Sequence, residues 1–337
     1  MEDFELTLFD RLNAIRDTIN KYGIDNFYLS FSGGKDSTIL HHLIDMALPN
    51  NKIPRVFINT GIEYNDILDF TKNLSINDER FIILNPTIPI KPMLEKYGYP
   101  FKSKQHSHNL DIYRNNKEQV DKYIKEIENN KELLKDYNYI HNLPKGVKTL
   151  IKYIYGIREN NIYIYISTKT VPNCLRYQFI DDFKIHCSDK CCYKMKKEPV
   201  AKWQKESGKS ITITGMRKEE GGNRDKITCI VTDKDKKVVK FHPLSVVSEE
   251  WEDWFIKKYN IKLCKLYYAP YNFKRTGCKG CPFALGLKEQ LDIMEKYLPN
   301  EKKQCEVIWK PIYDEYRRIN YRLENTKQTT IFDFIDE

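Results

Sequence analysis

A short loop of glycine, lysine and hydroxyl residues is the first feature of the sequence that could do chemistry. Ser32-Gly33-Gly34-Lys35-Asp36-Ser37 lies between an apolar run, 26–31, and a run with helical spacing, 39–47. Two glycines let the backbone approach an anion, and the first turn of a helix offers free N–H groups. Lys35 adds a charge, the serines add hydroxyls, and Asp36 can orient Mg²⁺. The loop predicts a phosphate site, the alternative being a tight turn without a ligand.

Four of the nine cysteines form two pairs that could hold a metal. Cys191 and Cys192 are adjacent, and two residues separate Cys278 from Cys281. The second spacing can present both sulfurs to one metal centre, and Gly280 lets backbone amides turn toward them. The pairs predict a thiolate-bound metal centre holding either iron or zinc. Cys187 precedes Cys191 by four residues and could replace one ligand.

The elements that must position these residues follow a strand–helix order. Helical spacing over 4–22 is followed by apolar runs that predict strands, at 26–31, 54–61 with a glycine turn at its end, 81–84, 211–215, 228–231 and 238–241. This order is typical of a parallel α/β sheet. We predict an open, mostly parallel five-stranded sheet flanked by helices, with a helical insertion and a cysteine-rich C-terminal region. The predicted segments are 1–104 (first part of the nucleotide-binding core), 105–186 (insertion), 187–285 (second part of the core) and 286–337 (C-terminal helix and tail).

Several stretches resemble the PP-loop ATP pyrophosphatases and the related phosphoadenosine-phosphosulfate (PAPS) reductases. Besides the loop, they are Asn59-Thr60-Gly61-Ile62-Glu63, Tyr99-Pro100 with Lys104, Thr214-Gly215-Met216-Arg217-Lys218-Glu219-Glu220 with Arg224, and Pro243-Leu244 with Trp254. The resemblance covers roughly residues 24–104 and 187–285. It implies an adenine nucleotide alpha-hydrolase-like (HUP-like) fold that binds ATP, or adenosine phosphosulfate (APS) or PAPS, with Mg²⁺.

The resemblance also implies the roles of individual residues. It assigns catalysis to Lys35, Asp36 and Arg217. It assigns nucleotide binding to Ser32, Gly33, Gly34, Lys35, Asp36, Ser37, Asn59, Thr60, Gly61, Glu63, Lys104, Gly215, Arg217 and Arg224. For the arginines taken singly, the alternative is a solvated surface charge. For Glu63, the alternative is a carboxylate that stabilises a helix N-terminus.

The cysteine pairs resemble the [4Fe–4S] ligand set of the assimilatory APS reductases. Lys196 and Pro199 fit the continuation of that motif, and the segment from Cys278 also resembles the iron–sulfur members that act in DNA phosphorothioation. The implied ligands are Cys191, Cys192, Cys278 and Cys281, with a [4Fe–4S] cluster preferred over Zn²⁺ and over thiols without a metal. Cys229, Cys264 and Cys305 are predicted to be small buried hydrophobic residues. Cys174 has no assignment.

One feature of the reductases is missing from the sequence. Their nucleophilic cysteine lies in a Glu-Cys-Gly-Leu-His-type tail, whereas Cys305 lies in a predicted helix with no Gly or His directly after it. The sequence therefore favours splitting of ATP into AMP and pyrophosphate, which activates an acceptor for sulfur transfer. The alternatives are a divergent APS or PAPS reductase and a non-catalytic nucleotide-binding regulator. Nucleic acid as acceptor and a cysteine desulfurase as sulfur donor are partners to test, and the oligomeric state stays open.

Composition restricts the expected compartment and type of partner of the protein, but it does not identify the substrate. The 337 residues include 56 Lys+Arg and 47 Asp+Glu, a formal net charge of +9, which suits a polyanionic partner or a solvated lysine-rich surface. No run of about 18 apolar residues predicts a membrane span. The acidic start does not resemble a signal peptide, so we expect a cytoplasmic protein. Gln328 to Phe332 resembles peptides that dock on bacterial sliding clamps, the alternative being an ordinary terminal segment.

Overall fold

The computed structural model describes residues 3–160, 163–166, 171–180, 183–220 and 224–324. It divides into two units, one made of residues 1–90 and 194–279 and the other of residues 91–193 and 280–337. The strands in the described residues are β1 Phe27–Ser30, β2 Arg55–Ile58, β3 Phe81–Leu84, β4 Ile157–Asn160, β5 Tyr163–Ile166, β6 Ile211–Ile213, β7 Ile230–Thr232 and β8 Val238–Phe241.

The helices form most of the remaining regular structure. Those of the described residues are α1 Asp3–Tyr22, α2 Lys35–Ala47, α3 Asn65–Asn77, α4 Ile90–Tyr97, α5 Lys104–Asn115, α6 Lys117–Asn129, α7 Tyr137–Asn142, α8 Lys145–Tyr155, α9 Lys190–Cys192, α10 Glu198–Ser207, α11 Glu249–Lys258, α12 Leu287–Tyr297, α13 Pro299–Ile308 and α14 Lys310–Arg318. None of them is long and apolar enough to cross a lipid bilayer.

A six-stranded sheet forms the centre of the first unit. Its order is β3-β2-β1-β6-β8-β7, and all neighbouring strands are parallel except β7, which runs antiparallel to β8 at one edge. The predicted α/β class and mostly parallel sheet are confirmed. The sheet has six strands rather than the predicted five: each of the six apolar runs contributes one, and the run at 228–231 overlaps the antiparallel edge strand β7.

Strand β1 lies at the point where the strand order reverses. From β1 the chain continues to β2 on one side, and the later strand β6 pairs with β1 on the other side. In open parallel sheets, ligands bind at the carboxyl ends of the strands at such a switch point. The loops that follow β1 and β6 are the Ser32–Ser37 loop and the loop that begins at Thr214. The fold therefore brings together two motifs that lie about 180 residues apart in the sequence.

The second unit is mainly helical. It contains α5–α8, the antiparallel hairpin of β4 and β5, and the C-terminal helices α12–α14. Its core includes the fully buried His106, which pairs through Nε2 with Gln178 and through Nδ1 with Tyr153. Burial lowers the pKa of His106 to about 4, so this histidine is a neutral core residue. Helices α5–α8 occupy most of the segment 105–186, whose assignment as an insertion stays a prediction.

Candidate functional site

The loop at the end of β1 is closed by its two serines. The Ser32 and Ser37 hydroxyls lie 3.1 Å apart, and Ser37 Oγ also accepts from the Ser32 amide at 3.2 Å. Gly34 is the N-cap of α2, and its amide donates to Ser32 Oγ at 3.3 Å. The loop thus takes the strand–loop–helix form that the sequence predicts, with the N-terminus of α2 at its end.

Gly33 shows why the loop needs glycine. Its φ is +70°, in the left-handed region, and a Cβ at this position would lie 2.8 Å from Ile67 Cγ2. A side chain would therefore collide with α3 and strain the backbone. The turn and the close packing of the loop both depend on this residue.

The loop after β6 lies directly against the phosphate loop. A Cβ on Gly215 would lie 2.9 Å from Asp36 Cβ and 3.1 Å from the Asp36 carbonyl carbon and oxygen. Two residues later, Arg217 is 7% exposed, and its Nη1 donates to Glu219 at 2.7 Å. The Glu219 carboxylate also accepts from the amide of Glu249, the first residue of α11, at 2.6 Å. Arg217 is therefore fixed by contacts within the site.

A fully buried carboxylate, Glu252 of α11, lies between the two predicted catalytic cations. One of its oxygens is 3.2 Å from Lys35 Nζ and the other is 3.2 Å from Arg217 Nε. Burial, with help from the charge of Asp36, raises the pKa of Glu252 to about 8, although Arg217 and Lys35 oppose the shift. Burial acts to lower the pKa of Lys35, but the charge and hydrogen bond of Glu252 together with the charges of Asp253 and Glu249 outweigh it, and the net shift is upward. The sequence alone does not single out Glu252, because its carboxylate meets Lys35 and Arg217 only in the folded chain.

These loops enclose a cavity of about 630 Å³ within the first unit. Its lining includes Ser32, Gly34, Lys35, Asp36, Ser37, Gly215, Arg217 and Arg224 from the predicted set, together with Tyr267, Lys274, Arg275, Thr276 and Gly277, which were not predicted. The Tyr267 hydroxyl and Thr276 Oγ1 lie 2.6 Å apart. Burial and the neighbouring Arg275 lower the pKa of Arg224. The adjacent basic residues Lys274 and Arg275 were the feature of the sequence that could have indicated this part of the cavity lining.

The segment after β2 folds on itself and is not part of the cavity lining. The Thr60 amide and hydroxyl donate to Glu63, at 2.8 Å and 2.7 Å, and the Gly61 amide donates to Asn59 Oδ1 at 3.2 Å. Lys196 lies 3.9 Å from Glu63. In this structure Asn59, Thr60, Gly61 and Glu63 thus shape the turn between β2 and α3.

Lys104 belongs to the second unit and is exposed at the first position of α5. Ser103 caps this helix by accepting from the His106 amide at 3.2 Å. The Tyr99 amide before it donates to His186 at 2.7 Å, and the Tyr99 carbonyl accepts from Ser188 at 3.0 Å. This pairing places the Tyr99-Pro100 segment beside the chain that leads to the cysteine pair. A phosphate role for Lys104 stays a prediction.

The predicted metal ligands differ in their surroundings. Cys191, in the short helix α9, is 6% exposed, whereas Cys192, Cys278 and Cys281 are partly exposed. A π-helical turn, Tyr193–Lys197, follows the first pair. Burial strongly raises the pKa of the Cys187 thiol, which makes it a poor source of the thiolate that metals bind.

The donor chemistry fits a thiolate-bound group. Soft sulfur donors suit iron–sulfur clusters and zinc, and Gly280 adopts the left-handed conformation, φ +59°, within the Cys278–Cys281 turn. Among the described residues, no three His, Cys, Asp or Glu side chains lie close enough to hold one metal ion. The clamp-like segment from Gln328 lies outside the described residues.

A parallel sheet with a glycine–lysine loop and an arginine loop at its switch point is the arrangement of a nucleotide-binding α/β protein. The family model of the phosphoadenosine phosphosulfate reductase domain matches residues 26–143 and 148–284. This chain belongs to that family. No curated protein sequence matches it significantly.

The similarities to solved structures are weaker than the match to the family model. The PAPS reductase of Candida auris in its phosphate complex is 12% identical with a TM-score of 0.41, and the match covers 78% of this chain and 87% of that one. The U34-tRNA thiolase NcsA of Methanococcus maripaludis, with its [4Fe–4S] cluster, is 15% identical with a TM-score of 0.35, and the match covers 99% and 86% of the two chains. At these scores the similarities carry no conclusion about this site.

Proposed function

We propose that this protein binds ATP with Mg²⁺ in the 630 Å³ cavity and splits it between the α and β phosphates. The observation that carries the proposal is the convergence of the Ser32–Ser37 loop with Arg217 and Arg224 on one cavity at the switch point of the sheet. Mg²⁺ prefers oxygen ligands, and Asp36 supplies a carboxylate in the cavity wall.

The proposed chemistry needs positioning and neutralisation of charge. An oxygen of the acceptor attacks the α-phosphorus, the bond to the β-phosphate breaks, and pyrophosphate leaves with its electron pair. Lys35, Arg217 and the amides at the start of α2 would stabilise the charge that develops on the phosphates. The adenylated oxygen of the acceptor is then a leaving group that a sulfur nucleophile can displace.

The first experiment measures AMP and pyrophosphate after anaerobic incubation of the full chain with ATP and Mg²⁺. Wild type is compared with Lys35→Ala and with a control, Lys52→Ala, whose side chain is 80% exposed and pairs only at the surface with Glu79. Release by wild type and by the control, but not by Lys35→Ala, supports the proposal. Absence of pyrophosphate from wild type, with and without added acceptors such as tRNA and DNA, contradicts it.

Reduction of APS or PAPS is the second candidate, and the family match favours it. The reductive route needs an accessible cysteine that attacks the sulfate sulfur. Cys305 is fully buried in α13 and so is not accessible for this attack, which favours the ATP reaction. Release of sulfite from APS or PAPS in the presence of a dithiol reductant would reverse this preference. Nucleotide binding without any turnover would instead support a regulator.

The cysteine pairs would hold a [4Fe–4S] cluster as part of this function, with Zn²⁺ as the alternative occupant. Such a cluster can transfer electrons or bind sulfur. Iron, zinc and acid-labile sulfide measured per chain after anaerobic purification decide between the two occupants. A nucleic acid acceptor and a cysteine desulfurase as sulfur donor complete the proposal, and both can be tested by adding them to the ATP assay.

A further inference from the structure

A second cavity, of about 420 Å³, lies within the mainly helical second unit. Its wall is formed by α5, the first residue of α6, a 3₁₀ turn at Asn173–Phe179 and the chain from Phe183 to Cys187. It shares no lining residue with the nucleotide cavity of the first unit. Pockets that bind small organic molecules have volumes of about 300–1,000 Å³. The second cavity therefore has the size of a ligand site.

The interior of this cavity is apolar. Leu110, Phe183, Ile185 and the Cys187 thiol line it, and Leu110 and Cys187 are buried. Burial strongly raises the pKa of Cys187, so this thiol stays uncharged and behaves as a small apolar group. The ring of Phe183 packs edge-on against Phe101, with 6.2 Å between the ring centroids. An aromatic or branched aliphatic group would therefore be stabilised here by burial of its surface.

One buried polar group, the amide of Gln178, is fixed in the same wall. Gln178 is fully buried, and its Oε1 accepts from His106 Nε2 at 2.7 Å. Because His106 is neutral, its Nδ1 accepts in turn from the Tyr153 hydroxyl at 2.9 Å. Gln178 Nε2 donates one hydrogen to the Tyr177 hydroxyl at 3.3 Å. Its second N–H has no acceptor among the described residues and can donate to a ligand.

The rim of the cavity carries positive charge. Arg114 and Lys184 are exposed lining residues, and neither forms a hydrogen bond or an ion pair within the part of the chain that the structure describes. The third cation of the lining, Lys117, is paired with Asp121 at 2.8 Å. The lining in the described residues contains no carboxylate. An anion at the rim would therefore meet Arg114 and Lys184 without displacing a described carboxylate, and hydrogen bonds between ions are stronger than neutral ones.

We propose that the second cavity binds a small organic anion. An aromatic or branched apolar body fills the interior, a carboxylate or phosphate head group contacts Arg114 and Lys184, and the Gln178 amide donates to an acceptor atom of the ligand. The inference goes beyond the ATP reaction and does not depend on it, because none of these residues lines the nucleotide cavity.

The test measures the affinity of three probes for the full chain by ligand-observed nuclear magnetic resonance. Benzoate and phenyl phosphate each have an apolar ring and an acidic head group, whereas benzamide has the ring without the charge. We expect benzamide to bind about tenfold more weakly than the tighter of the two anions, which also identifies the preferred head group. Lys35→Ala, which changes the nucleotide cavity, should leave this binding unchanged.

Variants of the rim test the two cations. Arg114→Gln and Lys184→Gln should each weaken binding of the tighter anion about threefold, and the double variant about tenfold, because a single exposed ion pair contributes little. Binding of benzamide should not change. The matched control is Lys125→Gln, which removes an exposed charge of the same unit from outside the cavity lining and should bind as wild type does.

A variant of the interior tests whether the body of the ligand enters the cavity. Ile185→Trp places a larger side chain in the wall and should abolish binding of all three probes while the chain still unfolds cooperatively in urea. The rim variants keep the test decisive if this variant does not fold. The inference is overturned if wild type binds neither anion, if benzamide binds as tightly as both, if the double rim variant or a folded Ile185→Trp keeps wild-type affinity, or if Lys35→Ala loses the binding.

Discussion

The buried carboxylate between the two predicted catalytic cations should make nucleotide binding dependent on pH. Glu252 is fully buried, 3.2 Å from both Lys35 and Arg217, and burial raises its pKa to about 8. Phosphates bound near Lys35 add negative charge, which favours the protonated carboxyl further. Binding therefore takes up a proton above about pH 8, and affinity falls as pH rises.

The expected magnitude follows from one titrating group. With a pKa of about 8 in the free protein and a higher pKa in the complex, the dissociation constant rises about tenfold from pH 7 to pH 9, or about 1.4 kcal/mol. Lys35 does not titrate in this range, because the net shift of its pKa is upward from 10.5. The free energy of unfolding depends on pH in the same direction. The raised pKa of Glu252 means that stability present at low pH is lost as pH rises from about 4.5 to about 8.

The assay is calorimetric binding of a non-hydrolysable ATP analogue with Mg²⁺ at pH 7, 8 and 9. Glu252→Gln keeps the shape of the side chain without its titration, so we expect its affinity to stay nearly constant across this range. Glu249→Gln is the matched control. Glu249 lies 3.5 Å from Lys35 but its side chain is 68% exposed, so this variant should keep the tenfold dependence. A flat profile for wild type, or a tenfold change in Glu252→Gln, would refute the reasoning.

Three further predictions test the site and the fold. Lys35→Ala should lower the rate of pyrophosphate release at least about 100-fold in a phosphate-detection assay, and a smaller loss would remove it from catalysis. Gly215→Ala should weaken nucleotide binding, since its Cβ would lie 2.9 Å from Asp36, whereas Gly146→Ala, with its nearest atom at 3.7 Å, should bind as wild type does. Asp45, whose pKa is lowered to about 2 by two arginines despite burial, is a test of stability. Asp45→Asn should lose about 2 kcal/mol in urea unfolding at pH 7, and wild type should lose this stability as pH falls from about 4 to 2.

The phosphate loop and the sheet were predictable because their signals are local. The change from strand to helix around Gly33 and Gly34 depends only on neighbouring residues of the sequence. The N-terminal cap of α11 is equally local, because Ser248 Oγ accepts from the Trp251 amide three residues later, at 3.1 Å. Apolar runs gave the strands of the sheet. Their order was not predicted strand by strand, because no local pattern encodes which strands are neighbours.

The residues that sequence reasoning missed depend on contacts between distant segments. Glu252 lies 217 residues after Lys35, and alone it is one more acidic residue in an acidic helix. Its surroundings in the fold, rather than its own spacing, distinguish Glu252 from its neighbours.

The charges around the cavity favour a nucleotide that is already bound to Mg²⁺. Its described lining carries five basic side chains and three acidic ones, namely Lys35, Arg217, Arg224, Lys274 and Arg275 against Asp36, Glu219 and Glu249. With Glu252 protonated near neutral pH, the wall has a surplus of about two positive charges, which equals the net negative charge of an ATP–Mg²⁺ complex. Glu252 is not itself a lining residue, but its ionisation next to Lys35 and Arg217 reduces that positive surplus. The same carboxyl therefore fixes the two cations in place and sets how much negative charge the cavity accepts.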